Sequence, residues 1–519
     1  MKEYLASDDP VPVNSTNRNI AANLAFSVWG FMVSLVAVPV YIRFVGIEAW
    51  GIMGIYATLM TAARLLDLGI STTLNRELAS QSATQGCADE TRNLVRTLEV
   101  LYWGIAFLLG AVVTAIVPFL ASDWVHTVNL AHGTVSRALA LVAIVIVFQW
   151  PFNLYSGGLL GLQRQVALAL VSAFMTTLRA VGAILVLWLV SPTIDAFLYW
   201  QIAISILSTL CVAVLLWRSL PGGWRGARMR PVLLKKVWRF TLGMGVAGAL
   251  GLVLTQLDRL ILSKMLPLDK FGYYALAGTL VGGLQYVTAS IHAAIFPRFT
   301  HLVASGDEVR LASAYHEAGE IVAVLVVPAV VVLALFSCET IEVWTGSSVA
   351  VENVGHVVSL LAIGVGLSGL TITSYALQLA HGWTRLSLYL NAGQLVITAP
   401  AIVFLTQRYG LVGAALSWVI TGMVLLVLQP WLTHRKILKG ELCRWCLQDT
   451  ARPLAAALAV GLLGRVLMPS NGSRGMLGLY VVLISVATEC AACLSSNVVR
   501  GRILERLGWR NGVSAPPAS

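Results

Sequence analysis

Along most of the chain apolar residues follow one another without the polar interruption that a surface helix or a half-buried strand would show. Ten runs of 18 or more residues contain no Asp, Glu, Lys or Arg, at 19–42, 100–122, 138–163, 196–217, 240–257, 271–297, 321–338, 353–384, 386–407 and 409–434. Each is long enough to cross a hydrocarbon core of about 30 Å at a helical rise of about 1.5 Å per residue. Four further apolar stretches are shorter or interrupted, at 49–74 (Arg64, Asp67), 165–190 (Arg179), 453–470 and 475–496 (Glu489). The pattern predicts an all-α polytopic membrane protein with about 14 transmembrane helices.

A repeat divides these helices. Arg43 to Leu59 reads RFVGIEAWGIMGIYATL, and 221 residues later the chain places Lys264, Asp269, Phe271, Gly272, Thr279 and Leu280 where Arg43, Glu48, Trp50, Gly51, Thr58 and Leu59 stand. Tyr155 in YSGGLLGLQRQ precedes Tyr375 in YALQLAHGWTR by 220 residues. An even number of helices per copy restores orientation, so helices 1–6 and 7–12 read as parallel repeats, the architecture of a transporter whose lobes move against each other. The expected organisation is an N-terminal six-helix lobe at 1–217, a basic loop at 218–239, a C-terminal six-helix lobe at 240–434, an extra helix pair at 435–496 and a tail at 497–519.

Composition agrees with a membrane location: 11% of residues are charged and 58% hydrophobic, with a mean hydropathy of +0.80. With the N-terminus inside, the inside segments collect 25 of the 35 basic residues, 7 fall outside and 3 lie within spans. This is the bias that places Lys and Arg on the cytoplasmic side. The net charge of +11 is therefore an orientation and lipid-headgroup signal, and binding of nucleic acid is not expected. The polar first 18 residues carry no cleavable signal pattern, and the Pro/Ser-rich tail reads as a disordered cytoplasmic end. Short outside connections leave no room for an extracytoplasmic catalytic domain.

The charges deepest in the spans are Arg64, Asp67, Arg179, Asp258 and Arg259. Such groups cost roughly 2.5–3.5 kcal/mol each at the bilayer centre and normally face a partner or a wet cavity. Arg64 and Asp67 share a helix face, either as a structural pair or as a cavity cation with its orienting carboxylate. Arg179 has no acidic residue within one turn and is the stronger anion ligand. Arg259 is close enough to Lys264 to snorkel outward, and Asp258 is a candidate cation or proton site. The amides Asn19, Asn23, Gln256, Asn391 and Gln394 read as interhelical glue or cavity lining. Gly243, Gly245, Gly248 and Gly251, with Pro39 and Pro297, permit close packing or bending.

Catalytic and cofactor motifs are missing. No Lys precedes Ser or Thr, so no P-loop can occur, and neither HExxH nor GxSxG is present. No cofactor is expected. Two CxxC pairs, Cys443 with Cys446 and Cys490 with Cys493, could in principle meet as a four-thiolate metal site, although no metal is expected there.

Taken in order, NIAANLAFSVWGFMVSLVAVPVYIRFVG, EAWGIMG, LLDLGI (Leu65–Ile70), GLQRQ (Gly161–Gln165), QLDRLIL (Gln256–Leu262), FGYYALA, AAIFPRF (Ala293–Phe299) and YGLVGAALSW (Tyr409–Trp418) resemble the polysaccharide-biosynthesis flippases of the multidrug/oligosaccharidyl-lipid/polysaccharide exporter superfamily. The likeness runs from about residue 18 to 435. It implies flipping of polyprenyl-diphosphate-linked oligosaccharide units between the leaflets of a bacterial inner membrane by alternating access, coupled to a proton or sodium gradient and serving a polysaccharide assembly machinery. The matched motifs bring Asp67, Asp258 and Arg259, and Arg64 and Arg179 would supply the family's cationic cavity. The alternative within the superfamily is an ion-coupled drug or metabolite antiporter.

The charge pattern predicts that a cysteine introduced at position 228 is labelled only from the cytoplasmic side, and labelling from the periplasm would overturn the helix count.

Overall fold

The computed structural model describes residues 13–65, 67, 69–82, 88–224, 226–233, 256–469 and 472–506; the side chains at 13–25, 27, 64, 65, 81, 82, 88 and 502–506 are outside the description. All its regular elements are helices, with one isolated bridge between His126 and Pro267. In chain order they are α1 (Val13–Val45), α2 (Ile47–Leu65), α3 (Ile70–Ser82), α4 (Ala88–Phe119), α5 (His132–Gln149), α6 (Phe152–Gly161), α7 (Gln165–Leu189) and α8 (Ile194–Ser219). Next come α9 (256–265), α10 (Leu268–Ser305), α11 (Glu308–Leu335), α12 (Ser337–Thr345), α13 (Ser348–Leu370) and α14 (Ile372–Ala380). The rest are α15 (Thr384–Lys436), α16 (Leu442–Arg444), α17 (Arg452–Val466), α18 (Arg474–Ser495) and α19 (Asn497–Arg506). Among the described residues ten helices are long and apolar enough to cross a membrane. Two crossings lie within α15, which brings the described spans to eleven, and Ile47–Ala63 is a shorter apolar helix beside them, so the number is consistent with the expected 14 without reaching it. Gly410 breaks α15 with φ 58° and ψ −132°, a conformation that glycine adopts without a Cβ penalty. Thr398 and Thr421, on opposite sides of the turn, share a 2.8 Å hydroxyl contact across the resulting hairpin.

Several apolar runs are broken helices. The run at 49–74 is divided between α2, which ends at Leu65, and α3, which starts at Ile70, and the run at 138–163 divides at Trp150–Pro151 into α5 and α6. Pro151 at the start of α6 is tolerated because the first helical N–H groups have no intrahelical acceptor.

The chain forms two compact units, Met1–Gly272 and Tyr273–Ser519. The first unit extends past the basic loop because residues 263–272 are tied into it. Trp124 Nε1 donates to Ser263 Oγ at 3.0 Å, the Lys264 ammonium lies 5.0 Å over the Trp124 ring, and Leu268 N donates to His126 O at 2.8 Å. Part of the basic loop is also held here, Arg228 N by Asn93 Oδ1 at 2.7 Å and Arg230 N by Thr97 Oγ1 at 2.9 Å. Glu48, buried at the start of α2, accepts from the backbone N–H groups of Val128, Asn129 and Leu130.

The two copies of the repeat meet within this unit. A Cβ on Gly51 would stand 2.5 Å from Leu268 O, and one on Gly272 would stand 2.2 Å from Ile47 O. Under the 221-residue offset Gly51 matches Gly272 and Ile47 matches Leu268, so the contact is reciprocal. A side chain at either glycine would force the helix starts apart. This explains why that position of the repeat has no Cβ in either copy.

In the second unit, Phe299, Leu311, Tyr315, Leu377 and Trp445 form one buried cluster, and Ile291, Val322, Val326 and Ala457 form another. The expected extra helix pair is packed into this unit: a Cβ on Gly461 would meet Val331 Cγ1 at 2.7 Å, and Arg465 pairs with Glu339 at 2.5 Å. The glycines of residues 243–251 and the side chains of Asn19 and Asn23 lie outside the described residues.

Gly272→Ala is expected to destabilise the solubilised protein by about 1–3 kcal/mol through overpacking. Gly282→Ala, which meets nothing within 4 Å, should be neutral or stabilising by up to about 1 kcal/mol. Thermal unfolding of the two variants checks this, and equal midpoints would remove the steric account.

Candidate functional site

Arg179 sits midway along α7. Among the described residues its guanidinium is held by neutral groups. Nη2 donates to Gln149 Oε1 at 2.6 Å and to Ser205 Oγ at 3.4 Å, Nη1 donates to Gln201 Oε1 at 2.9 Å, and the Tyr56 side chain hydrogen-bonds the same group. Trp200 Nε1 donates to the Arg179 carbonyl at 3.1 Å. These bonds replace part of the lost hydration while leaving the full positive charge uncompensated, which a carboxylate partner would have cancelled.

The charge faces a cavity of about 450 Å³ within the first unit, lined by residues that include Phe26, Tyr56, Thr61, Gln149, Ser172, Thr176, Arg179 and Ser208. No carboxylate is among its described lining residues. A second cavity of about 380 Å³ shares Phe152 with the first and is lined by Asp67, Ser71, Thr72, Asn75, Asn153 and Ser156, among others. Hydroxyl and amide groups beside one guanidinium suit an anionic, hydroxyl-rich guest: the fork can grip phosphate oxygens in bidentate fashion, and the neutral polar groups can bond to sugar hydroxyls.

Asp67 stands at the helix break. Its carboxylate accepts from Ser71 N at 3.2 Å and Ser71 Oγ at 2.6 Å, capping the start of α3, and from Tyr102 Oη at 2.6 Å. Tyr102 stacks on Trp150 with ring centroids 3.8 Å apart, and Trp150 Nε1 donates to Ala63 O at 2.9 Å, near the end of α2. The broken ends of α2 and α3 thus find partners inside the protein, which an interrupted helix in hydrocarbon requires.

The expected site residues divide accordingly. Arg179 and Asp67 line neighbouring cavities. Asp258 is buried and Arg259 partly buried on α9, and both lie outside the lining of these cavities. The Arg64 side chain lies outside the described residues. Among the described residues no group of His, Cys, Asp or Glu is arranged to hold a metal, and the four CxxC thiols are free.

Gln149, Gln201, Ser205 and Tyr56 were not singled out from the sequence. A signal existed for two of them, since Gln201, Ser205 and Ser208 recur at helical spacing in an otherwise apolar α8. Another missed group is Glu99, buried on α4. It accepts from Tyr155 Oη at 2.7 Å, Trp217 Nε1 at 3.3 Å and Arg96 Nη1 at 2.7 Å.

Broken apolar helices beside polar cavities, in an all-helical chain with helices long enough to cross a membrane and an internal repeat, form a fold that solved structures share. The chain superimposes on lipid II flippase MurJ in an inward closed conformation with a TM-score of 0.71 at 13% identity, covering 95% of this chain and 99% of that one. It also matches an inward-facing multidrug resistance MATE family transporter of the MOP superfamily, with a TM-score of 0.62 at 18% identity over 82% and 96% of the two chains. In sequence it is 23% identical over 431 residues to a putative O-antigen transporter of Shigella flexneri, spanning 80% of this chain and 98% of that protein. Residues 17–303 match the family described as polysaccharide biosynthesis protein, and the chain belongs to that family.

Tyr102→Phe keeps the stack on Trp150 but removes the donor to Asp67, and is expected to cost about 1.5–3 kcal/mol, the range for a hydrogen bond to a charged group. An unchanged unfolding midpoint would show that the Asp67 turn does not depend on that bond.

Proposed function

We propose that this transporter flips polyprenyl-diphosphate-linked oligosaccharide units from the cytoplasmic to the periplasmic leaflet of a bacterial inner membrane, by alternating access, for surface polysaccharide synthesis. The observation that carries the reading is the Arg179 guanidinium, held by neutral groups among the described residues and lining a polar cavity. A diphosphate is too costly to drag through hydrocarbon unaided, whereas a positioned guanidinium offers charge-assisted bonds. The polyprenyl chain needs no polar path and stays in lipid. Membership of the polysaccharide biosynthesis family and the likeness to a putative O-antigen transporter support the same substrate class. An exporter of cationic drugs would place a carboxylate at this cavity, where Arg179 stands instead.

In this reading Arg179 binds the headgroup, with Arg64 and Arg259 as further cations along the route. Asp67 orients the turn beside the cavity. Asp258 is the coupling carboxylate, whose occupancy by a proton or sodium ion biases the transport cycle through differential affinity for its two states. The termini face the cytoplasm, and the partners are membrane lipids, the lipid-linked glycan and the polysaccharide assembly machinery.

Reconstituted vesicles loaded with lipid-linked glycan test both roles. Arg179→Ala should abolish translocation at normal protein levels, and Arg179→Lys should restore part of it, as a point charge lacks the bidentate fork. Asp258→Asn should keep translocation but lose its response to an imposed proton or sodium gradient. Full activity of Arg179→Ala would remove the substrate assignment, and a full gradient response in Asp258→Asn would remove the coupling one.

A further inference from the structure

At one end of α11 in the second unit, the buried His316 ring lies between two carboxylates. Nδ1 is 2.5 Å from Asp449 Oδ2 and Nε2 is 3.1 Å from Glu441 Oε2. A neutral imidazole has one N–H and one lone pair. Both short contacts cannot therefore be hydrogen bonds unless the cluster holds one proton more than a neutral His316 with two ionised carboxylates. Whether it resides on the imidazole or on a carboxyl, that proton is required by the geometry.

We propose that Asp449, His316 and Glu441 form a proton-binding site, open on the face that the charge pattern assigns to the cytoplasm, and that its proton holds the 441–451 segment against α11. The site is both buried and reachable. His316 and Asp449 are 3% and 1% exposed, while Glu441 is 34% exposed and lines a cleft of about 650 Å³ with Glu308, Lys436, Lys439 and Arg444. The segment it holds leads directly into α17, and Trp445 packs within 3.4 Å of where a Cβ on Gly319 of α11 would be.

The other groups facing the cluster are few. Arg444 approaches Glu441 at 3.8 Å. Glu320, one turn further along α11, accepts from Ser496 Oγ at 2.5 Å and Val498 N at 3.1 Å, which ties the start of α19 to the same place. His434, on α15, lies near Tyr315 and acts on His316 through space, and Cys446 interacts in the same way with Asp449 and with Cys443. Burial raises the Asp449 carboxyl above its ordinary range, with the nearby Glu320 adding to the rise and His316 and Arg444 opposing it. A carboxyl raised on folding contributes stability at low pH that is lost as pH climbs through its folded value.

Hydrogen–deuterium exchange of the full-length protein in lipid nanodiscs, without substrate, tests the site independently of the proposed cargo. Protection of residues 441–451, corrected for intrinsic exchange, should be constant at low pH, fall by about tenfold per pH unit over the range in which the open segment has lost the proton and the closed one keeps it, and level off above that range. Asp449→Asn and Glu441→Gln each supply an amide N–H to the facing ring nitrogen, so neither needs the extra proton. Both variants should keep 441–451 protected with no such fall. Protection of the wild type that is flat from about pH 5 to pH 9, or a fall of equal slope in both variants, would overturn the proposal.

Discussion

A broken helix inside hydrocarbon must find partners within the protein for the backbone groups it frees, because no water is there to take them. The first unit is organised around meeting that demand at 66–69. Trp150 reaches Ala63 O, Tyr102 stacks on Trp150 and reaches Asp67, and Asp67 caps α3. Two of these residues sit at a break, Trp150 where α5 gives way to α6 and Asp67 where α2 gives way to α3, and Tyr102 joins them from the middle of α4. The two breaks satisfy one another, and the polar cavities open next to them. The side chains that close the backbone account are therefore neighbours of those that face the guest.

Arg179 shows the same economy with charge. Burying a guanidinium without partners would be prohibitive, and pairing it with a carboxylate would neutralise the cavity. Amides, a serine hydroxyl and a tyrosine give it hydrogen bonds at no cost in net charge. The arrangement leaves a positive field in a wet pocket, which is what an anionic headgroup requires. In the second unit a cluster of buried and half-buried titratable groups follows a different logic. His316, Asp449, Glu441 and Glu320 bond to one another or to the 496–498 turn. They bind elements together where Arg179 faces open space.

The internal repeat connects sequence with packing at one point. Glycines 51 and 272 allow the starts of α2 and α10 to touch backbone to backbone, each against the carbonyl that the offset assigns to the other. Elsewhere the copies diverge in chemistry, as the neutral cradle of Arg179 and the His316 cluster show.

What the sequence determined by itself was the class of structure and much of its order. Long charge-free runs compel helices because only helices and closed barrels satisfy the backbone in lipid, and this signal is local. The repeat was legible for the same reason, and the prominence of Arg179 and Asp67 followed from the rarity of charge in such runs. The breaks within 49–74 and 138–163 were not legible, since hydropathy cannot distinguish a continuous helix from two half-helices whose ends are satisfied by distant side chains. Gln149 and Gln201 lie 52 residues apart in sequence, and only folding brings both to Arg179. His316 and Asp449 are 133 residues apart, and neither position carries a local mark of the other. Hydrophobicity acts along the chain, whereas hydrogen bonds and charges act across space, so tertiary structure alone could decide where the polar groups would meet.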